Sequence, residues 1–199
     1  MTTRRREILD LARQMFAERG VQATSIRDLA EAAGILPSSL YSHFESKEAL
    51  ADEILQEFLQ DLLARLEKVA ADAPDAIGRL RLIIRTFVGA VDTDPAALSI
   101  YRREFAYLVT LPRFAYLYET HLSIRQIWVD AIEDSMADGT LRNDVDPVVL
   151  YRWMRDAITS MSRWHRPGDQ PDIDELADSA ERFFTNRTDV ASPPGALTL

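Results

Sequence analysis

Cysteine is absent from the 199 residues. Its absence excludes disulfides, thiolate metal sites and cysteine nucleophiles, and it fits a reducing compartment. Histidine is almost as scarce. His43, His121 and His165 are the only three, too few for a histidine-rich metal centre. Lysine occurs only at Lys47 and Lys68 against 21 arginines, a bias that reflects codon usage more than physics. Long apolar runs are missing too: the longest are about four residues, far below the ~18 or more that a membrane span needs. Met1-Thr2-Thr3-Arg4-Arg5-Arg6 leads straight into an amphipathic pattern with no apolar signal core, so a cytoplasmic protein without membrane contact is expected.

What is present is charge and a generous apolar fraction. Apolar residues make up 47% of the chain and charged residues 28%, with a formal net charge of −9. That sum argues at first against a nucleic-acid partner, but it is unevenly distributed. Residues 1–50 carry seven basic and seven acidic groups, while the remaining 149 residues carry 16 against 25. The whole excess of acid therefore lies outside the first quarter of the chain.

The apolar periodicity is helical nearly throughout and predicts an all-α chain of about nine helices. Ile8, Leu11, Ala12, Met15 and Phe16 form one stripe of a first helix, stopped by Gly20 in the position of a left-handed cap. Thr24 and Ser25 offer N-cap hydroxyls to a second helix carrying Ile26, Leu29, Ala30 and Ala33, which Gly34 ends. Pro37 suits the first position of a third helix reaching Phe44, and Ser46 caps a long fourth helix towards Asp72. Prolines then punctuate segments expected near 75–91, 95–109, 113–138, 147–165 and 173–187. The expected organisation is one unit over 1–46, a second over 47–188, and a disordered tail over 189–199.

Two short helices flanking a glycine-containing turn, over Thr24 to Leu50, are the pattern of a helix-turn-helix. Ser38, Ser39 and Ser42 lie on the side of the third helix away from Leu40 and Phe44, a small polar face that fits the major groove. Tyr41 and His43 are placed to donate to flanking phosphates, and Lys47 adds a cation beside a helix N-terminus. Thr24, Ser25 and Arg27, at the start of the second helix, complete this candidate set together with Arg4, Arg5 and Arg6. Those three are expected as a basic arm before the first helix, reaching the backbone or the minor groove.

This segment resembles the DNA-binding domain of the TetR family of bacterial repressors. The resemblance is carried by Phe16-Ala17-Glu18-Arg19-Gly20, Thr24, Ile26, Leu29-Ala30, Ala33-Gly34 and above all Leu40-Tyr41-x-His43-Phe44-x-x-Lys47-Glu48-x-Leu50. Pro37 departs from the small or hydroxyl residue more usual there. The resemblance implies an all-helical homodimer on a palindromic double-stranded operator, with helices one to three on DNA and the rest forming a ligand pocket and dimer interface. A small-molecule effector then favours a conformer that no longer fits the operator.

Three later patches extend the likeness: Leu111-Pro112-Arg113-Phe114-x-Tyr116, Ile127-Trp128-Val129-Asp130, and Tyr151-Arg152-x-x-Arg155-Asp156 leading to Arg163-Trp164-His165-Arg166-Pro167-Gly168. Together they are similar to TetR-type repressors that respond to acyl-CoA thioesters, in particular actinobacterial regulators of steroid (cholesterol) ring catabolism. The likeness implies an effector that is a CoA thioester of a steroid fragment or fatty acid, with no cofactor and no metal. Its phosphates need cations, for which Arg102, Arg103, Arg125, Arg155, Arg163 and Arg166 are available. Its adenine can stack on Trp164. Its apolar part would need a cavity lined by residues such as Phe58, Phe87, Phe105, Tyr116, Trp128 and Met154. Core packing is the competing role for each of these aromatics, and helix termination for Arg163, Trp164 and Arg166. Trp153, Phe183 and Phe184 are expected in the core or the dimer seam. Two other readings stay open: a TetR-type repressor answering a free fatty acid, lactone or drug, and a helical enzyme. The enzyme lacks a nucleophile constellation and a glycine-rich phosphate loop in this sequence.

Overall fold

The computed structural model describes residues 3–166 and 168–186; the tail expected over 189–199 lies outside the described residues. Among the described residues there are nine α-helices and no strand. Three make the N-terminal end: α1 (Thr3–Arg19), α2 (Ile26–Ala32) and α3 (Pro37–Tyr41). α4 (Lys47–Asp72) leads away from them. The rest comprises α5 (Ala76–Thr93), α6 (Pro95–Leu108), α7 (Tyr116–Ala137), α8 (Pro147–Ser160) and α9 (Ile173–Thr185).

Local sequence sets most boundaries. Ser25 caps α2 in a reciprocal box with Asp28, Ser46 accepts from the Ala49 N–H at 3.1 Å, and Asp75, Asp94, Asp146 and Asp172 cap α5, α6, α8 and α9. Pro95 and Pro147 sit in the first turn, where the missing N–H costs no hydrogen bond. Gly20 ends α1 with φ +94° and Gly34 follows α2 with φ +65°, left-handed conformations that a β-carbon would strain.

Three expected helices are shorter than the pattern indicates. α3 stops at Tyr41, where the Ser42 hydroxyl turns back to donate to the Ser39 carbonyl at 2.7 Å. The segment expected from 113 opens with a 3-10 turn, Pro112–Phe114, and becomes α-helical only at Tyr116. α8 ends at Ser160 rather than near 165 and tightens into a 3-10 turn, Met161–Arg163. There the Ser160 and Ser162 hydroxyls take the carbonyls of Ala157 and Thr159 at 2.7 and 2.8 Å, offering the backbone an alternative to the helical ladder.

α5 lies at the centre of the larger part and packs on α4, α7, α8 and α9. Phe87 meets the edge of Trp128 at 5.1 Å, and Trp128 lies 6.1 Å from Tyr151; Trp128 is fully buried. The N-terminal end has its own apolar centre, in which Ile8, Leu9, Phe16, Leu29 and Leu40 are at most 1% exposed. α4 touches both, packing on α1 as well as on α5, α6 and α7.

Candidate nucleic-acid interface and ligand groove

Thr24, Ser25, Arg27, Tyr41 and Lys47, with Ser46 among others, line one open cleft of ≈ 540 Å³ between the starts of α2 and α4, whereas Ser38, Ser39, Ser42 and His43 lie outside it. Ser25, Arg27, Ser38, Ser39, Tyr41 and Ser42 are exposed, and His43 and Lys47 are half-buried. Ser25 is committed to its cap: its hydroxyl accepts from the Asp28 N–H at 3.1 Å and donates to the Asp28 carboxylate at 2.7 Å. The Ser25 hydroxyl, and then the Ser25 N–H at 2.9 Å, donate to the Asp28 carboxylate and hold it below the usual carboxylate range. Lys47 donates to the carbonyls of Gln22 at 2.9 Å and Thr24 at 3.0 Å, fastening the α1–α2 turn to the start of α4.

Two expectations are corrected at this end. Thr24 is buried and its hydroxyl donates to the Gly20 carbonyl at 2.7 Å, so it braces the turn and Ser25 alone caps α2. Arg4, Arg5 and Arg6 form no arm before the first helix, because α1 already begins at Thr3. Carboxylates along the same helix and on α4 draw them in. Arg5 makes paired bonds to Glu53 at 2.5 and 2.6 Å and lies 4.3 Å over the Phe44 ring. Arg6 bonds Glu57 at 3.2 Å, and Arg4 bonds Glu7 at 2.7 Å and the Ala33 carbonyl.

A second concavity, ≈ 200 Å³, opens between α6, α7 and α8. Leu98, Tyr101, Arg102 and Phe105 enter it from α6 at helical spacing, His121 from α7, and Arg155, Asp156 and Thr159 from α8. The Tyr101 hydroxyl and His121 Nδ1 are 3.0 Å apart, and the Phe105 ring lies 5.4 Å from Tyr101 and 5.2 Å from His121. Burial pushes the Tyr101 phenol above its ordinary range. Burial first, then the Arg155 and Arg125 charges, push the His121 imidazole below its ordinary value. At neutral pH the phenol is protonated and the ring uncharged, so the groove combines a neutral polar pair with the arginine cations.

Of the ten candidate ligand residues, the structure brings Arg102 and Phe105 together in this groove. Phe58 and Phe87 are about 5% exposed and Trp128 and Met154 not at all; they fill the core instead of lining an open cavity, because α5, α7 and α8 close upon them. Tyr116 is half-buried with its hydroxyl 3.5 Å from the Asp52 carbonyl, and burial raises its phenol. Arg163, Trp164 and Arg166 are exposed beyond α8. Arg166 bonds the carbonyls of Ser162 at 3.2 Å and His165 at 2.9 Å, the helix-terminating role. Tyr101, His121, Asp156 and Thr159 were absent from the sequence-derived set, which held Arg155 only as one of several arginines. The available signal was the stripe Leu98, Tyr101, Arg102, Phe105, which mixes an arginine and aromatics where a plain core stripe is aliphatic.

α8 and α9 present a third concavity of ≈ 590 Å³ lined by Leu150, Trp153, Phe183 and Phe184 among others. Trp153 is 59% and Phe183 79% exposed, which excludes a core role for either within one chain.

Residues 8–54 match the model of the bacterial regulatory proteins of the tetR family, and residues 73–187 match that of the tetracyclin repressor-like C-terminal domain. Over 174 residues the chain is 41% identical to the HTH-type transcriptional repressor KstR2 of Rhodococcus jostii (strain RHA1), spanning 87% of this chain and 85% of that one. Its likeness to the repressor of the same name in Mycolicibacterium smegmatis is 38% over 166 residues, or 83% and 81% of the two chains. The solved structure of the ketosteroid transcriptional regulator KstR2 of Mycobacterium tuberculosis superposes with a TM-score of 0.87 at 35% identity, covering 94% of this chain and 97% of that one.

Proposed function

Since the chain belongs to the TetR family of bacterial regulatory proteins and is a transcriptional repressor of that type, we propose that it binds a palindromic operator as a homodimer and is released by a small-molecule effector, a CoA thioester of a steroid fragment or fatty acid. The observation that carries the DNA half is the convergence of Arg27, Tyr41 and Lys47 on one exposed cleft at the N-termini of two helices, where phosphates are favoured. Dimerisation is supported by the α8–α9 face, where Trp153 and Phe183 leave apolar surface that a second copy would cover.

The effector half is supported by the groove between α6, α7 and α8. Arg102 and Arg155 supply cations for phosphate or carboxylate groups. Elsewhere on α7, Trp128 Nε1–H is buried without a hydrogen-bond acceptor among the described residues, an unmet polar donor in the core of this half. The groove of ≈ 200 Å³ is smaller than the ~300–1,000 Å³ usual for drug-sized ligands. A CoA ester must therefore part α6 from α8 to enter, so binding and conformational change are one event. The steroid class follows from the ketosteroid regulator that this chain is similar to; the thioester rests on the resemblance of residues 111–116, 127–130 and 151–168 to acyl-CoA-responsive repressors.

A thermal-shift panel of steroid-fragment and fatty acyl-CoA esters beside the free acids tests this reading, because a specific ligand stabilises the native state by mass action. The expected result is a rise in Tm with the esters alone, and release of operator DNA in a gel shift at matching concentrations. Stabilisation by the free acids alone would replace the thioester with a simpler ligand. Arg102→Ala should keep operator binding and lose release; a variant that still responds to the ester at wild-type concentration removes Arg102 from the effector site.

A further inference from the structure

We propose that Leu36 reads a thymine methyl group in each half of the operator and is the principal base-discriminating side chain of residues 34–44; the inference rests on the DNA-binding reading above and specifies what is read. Residues 34–44, Gly-Ile-Leu-Pro-Ser-Ser-Leu-Tyr-Ser-His-Phe, contain no arginine, lysine, asparagine, glutamine, aspartate or glutamate. The two-bond pairings that mark guanine and adenine in the major groove need arginine, lysine, asparagine or glutamine, and cytosine is marked by a carboxylate. None is available on the helix that enters the groove.

Tyr41, 56% exposed, is assigned to the phosphates at the cleft, and the polar groups left on this face discriminate weakly. Ser38 and Ser39 are exposed, but a hydroxyl both donates and accepts and so suits any base edge. Ser42 spends its proton on the Ser39 carbonyl, and His43 is half-buried. Leu40 and Phe44 point into the core at 0% and 4% exposure. Leu36, by contrast, is 70% exposed in the turn between α2 and α3, next to the exposed ring of Pro37.

Its backbone is fixed on both sides. The Gly34 and Ile35 N–H groups bond the carbonyls of Glu31 and Ala30 at 3.0 and 2.9 Å, and the Leu36 carbonyl accepts from Ser39 and Leu40 at 2.9 and 3.2 Å. A rigid turn thus holds a large apolar side chain out at the start of the recognition helix, the part that contacts base edges in this motif. The one apolar feature on the major-groove edge of a base pair is the thymine 5-methyl. Leu36 therefore separates thymine from cytosine, a distinction that the hydroxyls beside it do not make.

The test uses the full chain. A site is first selected from random duplex DNA, and each of its thymines is then replaced in turn by deoxyuridine, which removes the methyl and nothing else. Affinities are compared at one fixed salt concentration. The loss should be about fourfold when the thymine of one half-site is changed and about fifteenfold when both are, the factors that burial of one and of two methyls give. Leu36→Ala, which alters both half-sites of the proposed dimer at once, should bind the thymine site about fifteenfold more weakly and lose nothing further on deoxyuridine, with an unchanged melting temperature. Leu36→Met should keep the sensitivity. Equal wild-type affinity for thymine and deoxyuridine at every position overturns the proposal, as does a Leu36→Ala variant that keeps the difference. If selection enriches no sequence at all, the DNA-binding reading fails with it; selective binding that ignores the methyl sinks Leu36 alone.

Discussion

Arg27 and Lys47 stand on the same cleft with different obligations. No hydrogen bond or ion pair within the described residues holds the Arg27 side chain, whereas the Lys47 ammonium gives two donors to Gln22 and Thr24 and keeps one of its three for a phosphate. Arg27→Ala is expected to weaken DNA binding evenly across sequences and to reduce the slope of log K against log salt by about 1, with no change in melting temperature. Lys47→Ala is expected to lower both affinity and melting temperature, since it also unfastens the α1–α2 turn. Affinity titrations over a salt series, beside thermal melts, separate the two outcomes. His121 sets a different dependence. Its folded-state pKa lies below the ordinary value, so the unfolded chain binds the proton more readily. The stability contributed by the neutral ring is then complete above about pH 6.5, the ordinary value, and is lost as pH falls through the lower folded value. Replacing it, as His121→Gln, should flatten the melting-temperature profile on the acid side relative to the native chain. A profile that keeps its slope would show that other groups carry it.

Two elements join the two ends of the molecule. α1 reads in sequence as a helix with a loose basic lead, yet Arg5, Arg6 and Arg13 tie it along α4 through Glu53 and Glu57. The partners lie more than forty positions away, so spacing in the sequence gives no hint of them. α6 faces two ways. Tyr101, Arg102 and Phe105 look into the groove, while Arg103 donates to the Ala17 carbonyl at 2.9 Å and the Glu18 carbonyl at 3.2 Å at the end of α1. Arg103→Ala should leave operator affinity nearly intact while raising the effector concentration needed for release, measured as a gel shift against effector. Gly20 is the joint on the other side. It has φ +94°, and a β-carbon there would stand 2.6 Å from the Glu104 carboxylate. Gly20→Ala should therefore destabilise the fold by about 1–3 kcal/mol in a denaturant titration.

For the whole molecule, the α8–α9 face is the proposed seat of the dimer. Trp153 and Phe183 expose apolar surface that one chain leaves uncovered, and a two-fold interface places the same patch on both partners. Phe183→Asp is expected to give a monomer by sedimentation, with a folded far-UV spectrum and operator affinity lowered as the second recognition helix is lost. A variant that stays dimeric would move the interface elsewhere. Charge also has meaning only at this scale. The net −9 sits away from residues 1–50, and the cleft proposed to meet phosphates holds Arg27 and Lys47.

The local sequence determined the helices and the family. Caps such as Ser25, Ser46, Asp94 and Asp146 act within three residues, and the Leu40-to-Leu50 pattern is read directly from the chain, so neither needs a tertiary partner to be legible. The absence of bidentate base readers around α3 was equally written there. Only the tertiary structure decided which side chains were free to act. Thr24 was taken by the Gly20 carbonyl, Arg4 to Arg6 by nearby carboxylates and the Ala33 carbonyl, and Trp128 and Met154 by the core. Tyr101, His121 and Arg155, far apart in the chain, became neighbours only when α6, α7 and α8 packed. Periodicity specifies the face of a helix that is buried, but what that face meets depends on long-range packing that no local window contains.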